Sequence, residues 1–254
     1  MIRSMLIGTL AVLAGSAVVA SAAPKDDVQD AAKKLADAKS YSWKQNSENL
    51  AQPGGQGGRG GFGAGPQEGK TEKDGYTHLT MTFGENRTDV IFKGDKGAVK
   101  TQDGWKSFAE AAEGGNDGGF NPARFIGRMV QNFKGPAVQA EELVKNIKDL
   151  KKDEGAYTGE LTEEGAKQLL SFGRGRRPNA DNANQPQGPQ VSNAKGTARF
   201  WVENGVLTKY EYTVQGTMSF NGNDIDINRK TTVEVKDVGN TKVEIPDEAK
   251  AKLS

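Results

Sequence analysis

The chain has 254 residues, 33 of them glycine, no cysteine and a formal net charge of +1. Without cysteine there can be no disulfide framework, no thiolate zinc site and no lipid-modified cysteine, so core burial alone must stabilise the fold. One histidine, His78, rules out His-rich metal sites, and the near-zero charge gives no global field for nucleic acid or an anionic membrane.

Residues 1–22 have the form of a secretory signal. Arg3 gives the positive start, Met5 to Ala20 the apolar run, and Ala20-Ser21-Ala22 the small-residue cleavage site. The mature chain is therefore predicted to begin at Ala23, as one domain spanning 23–254. The run is short and rich in Ala and Gly for a permanent span, and a retained anchor is the alternative.

A first helix is expected from Asp26 and Asp27 to about Lys39, with Val28, Ala31, Ala32, Leu35 and Ala38 on one narrow face. That face is small enough to suggest a place across a sheet edge or as a lid. Ser40 to Leu50 follows as a strand, with Tyr41 and Trp43 on one side. Gln52 to Gly69 is half glycine and reads as a disordered insertion. Its GGRGGFG could be an RGG-like nucleic-acid segment, but one Arg with one Phe is better explained as a loop.

From Tyr76 the chain alternates again. Thr77, Leu79, Met81 and Phe83 share one side, and further strands run over Arg87 to Lys93 and Gly97 to Thr101, before Trp105 and Phe108. Asn121-Pro122 then opens a helix whose Phe125, Ile126, Met129, Val130 and Phe133 make a wide apolar stripe. A second helix covers Val138 to Ile147, Ala156 to Leu161 is a strand, and Thr162-Glu163-Glu164 starts a third helix.

Gly173 to Val191 is the second low-complexity insertion, with Arg174, Arg176 and Arg177 its basic cluster. The clearest pattern comes last. Ala198, Phe200 and Val202 alternate with polar residues, and Glu203-Asn204-Gly205 turns the chain. Val206, Thr208, Tyr210, Tyr212 and Val214 then fall on one side, opposite Leu207 and Lys209, until Gly216 marks a bend or bulge. Ile225, Ile227, Thr231, Val233 and Val235 form the last apolar face, and Pro246 opens a short final helix. Runs of antiparallel strands with segregated helices are α+β.

Catalytic and metal chemistry find little support. His78 sits on the more polar side of its strand with no G-x-S-x-G to pair with it, and Asn221 to Asp226 lacks the terminal Glu of an EF-hand. What remains is an apolar inventory. Trp43, Phe83, Trp105, Phe125, Met129, Phe133, Phe200, Tyr210 and Tyr212 either pack a core or line a cavity between sheet and helices.

The segments YTGELTEEGAKQLL, GTARFWVENGVLTKYEYTVQG and TTVEVKDVGNTKVEIPDEAK resemble the LolA-like and LppX-like envelope proteins. That resemblance implies an exported carrier built as a curved antiparallel half-barrel, with helices packed on its concave face around an apolar cavity. It also implies burial of a lipid or lipoprotein acyl chain without catalysis or cofactor. The expected protein is periplasmic or extracellular after signal cleavage, monomeric, and in contact with envelope proteins but not nucleic acid. The alternative is an exported interaction or scaffold module whose core is filled.

Overall fold

Three long neighbouring strands near the C-terminus anchor one open eleven-stranded antiparallel sheet in the computed structural model. It describes residues 23–51, 66–83, 86–113, 126–127, 129–130, 133–171, 190–220 and 223–253. The expected signal, residues 1–22, lies outside the described residues, as do most of the two predicted insertions.

The strands are β1 (Ser40–Asn49), β2 (Gln67–Glu72), β3 (Thr77–Phe83), β4 (Asn86–Lys93), β5 (Lys96–Thr101), β6 (Gly104–Ser107), β7 (Ile147–Asp153), β8 (Ala156–Leu161), β9 (Gln190–Glu203), β10 (Val206–Phe220) and β11 (Asn223–Lys236). Their order is β6-β5-β4-β3-β2-β1-β11-β10-β9-β8-β7. Two meanders, one from each half of the chain, are thus stitched together by the β1–β11 pair, where Trp43 lies opposite Val235. The edges, β6 and β7, do not meet, so the sheet is not closed.

The helices are α1 (Pro24–Asp37), α2 (Phe108–Glu113), α3 (Pro136–Lys145), α4 (Glu163–Ser171) and α5 (Asp247–Lys250). Pro24 in the first turn of α1 loses no hydrogen bond, and Asp26 and Asp27 complement the helix dipole there. Val28, Ala31, Ala32 and Leu35 are all but inaccessible to water. The predicted edge or lid position is therefore incorrect: α1 packs on β7, β9, β10 and α3, inside the main core. Its alanines are what allow so close an approach.

Several boundaries differ from the sequence reading, each for a local reason. Gln67 to Gly69 belong to β2, and Gln190 and Val191 to β9, so both insertions are shorter than expected. The second predicted helix begins earlier, at Pro136, and stops before Ile147. There the Asn146 side chain donates back to Glu142 O at 3.0 Å and ends it. β7 was not expected at all. Its register shifts between Ile147 and Leu150, and a three-residue spacing hides the strand period. A similar irregularity between Leu207 and Lys209 turns Leu207 into the core, although alternation placed it outward. The expected break at Gly216 is present as a register shift between Gln215 and Thr217.

Candidate functional site

Consecutive strand residues face opposite ways, so each strand delivers every second side chain to the face that carries α1, α3 and α4. β1 delivers Tyr41 and Trp43, β4 delivers Val90 and Phe92, and β10 delivers Tyr210, Tyr212 and Val214, all buried in one cluster. The chain from 126 to 133 reaches the same cluster. Ile126 and Val130 are buried, while Met129 and Phe133 are partly buried and pack against it.

Two aromatic groups form within this cluster. Phe133 stacks on Trp43 with ring centroids 5.9 Å apart and meets Phe92 edge-on at 5.4 Å. Phe200 stacks on Tyr210 at 6.3 Å, beside Tyr212. Such pairs add a little beyond area burial, on the order of 0.5–1.5 kcal/mol each. Gly69 lies opposite Trp43 in the β1–β2 register, and a Cβ there would overlap the indole ring. The glycine is therefore what lets Trp43 lie flat against the sheet.

The polar atoms of this interior are only partly provided for. Tyr210 donates its hydroxyl to Gln139 Oε1 at 2.5 Å, and burial pushes its pKa well above the ordinary value. Tyr157 donates to Asp27 Oδ2 at 3.0 Å, tying β8 to α1. The Trp43 indole N–H is buried and meets no acceptor among the described residues. A donor left this way costs about 1–3 kcal/mol.

The predicted site residues thus divide. Trp43, Met129, Phe133, Phe200, Tyr210 and Tyr212 come together in the interior. Trp105 does not. It packs with Ile91, Ala98, Ala249 and Leu253 in a separate cluster, on the face away from the main core. Phe125 and the side chain of Phe83 lie outside the described residues. Phe92, by contrast, belongs to the site and was overlooked. Val90, Ile91 and Phe92 are consecutive apolar residues feeding both faces, so alternation gave no face to choose.

The described residues also form open depressions of about 460 Å³ and 230 Å³, at the β2–β3 turn and beside Lys44 and Glu68. Neither is lined by any of the candidate apolar residues. Among the described side chains, sheet and helices meet in packed contact.

Several polar groups outside the interior are engaged with one another. His78 Nε2 lies 3.3 Å from Asp89 Oδ1, and Thr80 donates to the same oxygen at 2.6 Å. Both groups converge on the carboxylate, so the hydroxyl is not bonded to the imidazole as a nucleophile–base relay requires. Asp224 and Asp226 accept from Ser219 and Thr217 across the β10–β11 hairpin. No group of three His, Asp or Glu side chains that could hold a metal ion is gathered among the described residues. Nor is any described helix long and apolar enough to cross a membrane.

The sequence matches no protein-family model and no curated protein. Among solved structures, the chain is similar to the Mycobacterium tuberculosis lipoprotein LppX, at 9% identity and a TM-score of 0.47, over 88% of this chain and 98% of that one. It is also similar to LprF from Mycobacterium bovis, at 11% identity and a TM-score of 0.43, over 89% and 97% of the two chains.

Proposed function

We propose that this is an exported, non-catalytic envelope protein that binds a lipid or lipoprotein acyl chain between the sheet and the segment 126–133. The observation that carries the reading is the asymmetry of that segment. Met129 and Phe133 are only partly buried where they pack on the core, and Phe133 roofs Trp43 and Phe92. An acyl chain can take the place of Phe133 over these rings without exposing them to water. Met129 supplies an unbranched, adaptable contact.

The reading requires displacement of the segment, because Phe133 occupies the space above Trp43. The packed interior favours a second reading, an exported interaction module with a filled core and no small ligand.

Titration with a fluorescent fatty acid separates them. The carrier reading expects saturable binding by the wild-type chain and its loss in Met129→Glu, with circular dichroism unchanged, because an opened site can hydrate the carboxylate. In a filled core, the wild-type chain binds nothing and the buried, unpaired charge unfolds Met129→Glu at a cost of several kcal/mol, order of magnitude.

A further inference from the structure

Arg229 is a cation on the inner face of β11 that the sequence pattern passes over. It lies between Ile227 and Thr231, opposite Val214 of β10 and Asn49 of β1. Thr231 and Val233, which follow on the same face, are almost fully buried. The β11 lysines that face the other way have acids: Lys230 lies 3.1 Å from Glu211, and Lys236 3.4 Å from Glu234. No carboxylate among the described residues pairs with Arg229. Its Nη2 donates to Leu169 O at 3.0 Å, in the last turn of α4, and its buried Nε–H meets no acceptor among the described residues.

A guanidinium carries five donors and keeps its charge at any physiological pH. Half-buried, with a carbonyl at the C-terminal end of α4 as its one acceptor among the described residues, it keeps a buried donor for a further acceptor. Its same-face neighbours are mixed: Asn49 and Thr231 are polar, Val214 and Ile227 apolar. Ile227 and Leu169 pack against the core, while Leu50 and Ile225 are 41% and 52% exposed.

We infer that Arg229 binds the anionic head, carboxylate or phosphate, of an amphiphile whose chain lies along β11 toward Trp43. This rests on the acyl-chain reading and adds to it the charge of the ligand and the direction in which it lies. Trp43 is level with Val235. Six residues of strand separate Val235 from Arg229, roughly 20 Å at about 3.3 Å per residue, which is the scale of a long acyl chain. Because the Nε–H faces away from bulk water, an anion reaches it as part of an apolar ligand and not as a free ion.

The test compares cis-parinaric acid with its methyl ester on the wild-type chain at low salt, where both share one chain and only the acid is charged. The acid is expected to bind roughly tenfold tighter or more, the scale of a charge-assisted hydrogen bond. Arg229→Gln should bring the acid down to the affinity of the ester, and Arg229→Lys should keep part of the preference. Acetate and inorganic phosphate should not compete.

Equal binding of acid and ester by the wild-type chain would overturn the assignment, leave the acyl-chain reading standing and reduce Arg229 to a cap on α4. Competition by acetate or phosphate would replace the amphiphile with a free anion. Binding of neither acid nor ester would remove both readings. The wild-type ratio decides even if Arg229→Gln fails to fold.

Discussion

Two helical elements roof the same face of the sheet, and they are held in different ways. α1 buries Val28, Ala31, Ala32 and Leu35 at 0–1% exposure and is tied to β8 by the Tyr157–Asp27 hydrogen bond. The segment around 126–133 buries Ile126 and Val130 but leaves Met129 and Phe133 partly open, and Phe133 meets the rings of Trp43 and Phe92. The first is core. The second is a cover resting on rings, and local stability follows such differences in burial. The carrier proposed above would need both, one to fix the sheet and one that can yield.

The largest effect should come from breaking the fixed roof. Leu35→Ala removes a fully buried side chain from packed surroundings and is expected to cost about 3 kcal/mol. Urea unfolding followed by circular dichroism measures it. A cost under about 1 kcal/mol would mean that α1 is as loosely held as the segment.

Gly69→Ala acts beneath the Phe133 cover. The added methyl overlaps the Trp43 ring, so the indole must tilt or the strands part, at a cost of about 1–3 kcal/mol. Tryptophan fluorescence should report the tilt, since Trp43 would leave its contact with Phe133. An unchanged spectrum and midpoint would show that Trp43 does not lie flat on β2.

Phe133→Ala should cost less than Leu35→Ala, about 1–2 kcal/mol, because the ring is only partly buried. In the acyl-chain reading it also opens the space above Trp43, so fatty-acid affinity should rise or hold while stability falls. Loss of both together would make Phe133 ordinary core and end the distinction between the two roofs.

Much of this contrast was legible in the sequence, and its gaps have physical causes. The face of α1 could be read residue by residue, since Val28, Ala31, Ala32 and Leu35 recur at helical spacing. Its location could not, because small apolar residues suit a tight helix–helix contact as well as a lid. Tyr210, Tyr212 and Val214 alternate cleanly and are buried as expected. Leu207 and β7 went astray at register shifts, which invert or hide the two-residue period. Trp105 was grouped with Trp43 on composition, yet neighbouring Val90 and Ile91 show the sheet feeding clusters on both faces. Arg229 sat in plain alternation with Ile227 and Thr231, and only the lack of an acid beside it among the described residues sets it apart.

The opposite face supplies a third cover, and with it the smallest effect. There α5 and the tail place Ala249 and Leu253 over Trp105, and Lys252 Nζ reaches Glu110 Oε1 at 2.6 Å. This cover is held by burial plus an exposed ion pair, and exposed pairs contribute little. The Lys252 hydrogen bond, helped by the Ser107 N–H, holds the Glu110 carboxyl below its ordinary value of 4.5. A carboxyl whose pKa is lower in the folded state stabilises above the unfolded value, and that contribution fades as pH falls through the folded one. Lys252→Ala should therefore leave the unfolding midpoint barely changed near neutral pH, and the gap between mutant and wild type should vanish in acid. A large loss at neutral pH would mean that the ion pair, and not the burial of Ala249 and Leu253, holds the tail on Trp105. The cover on Trp105 would then depend on charge.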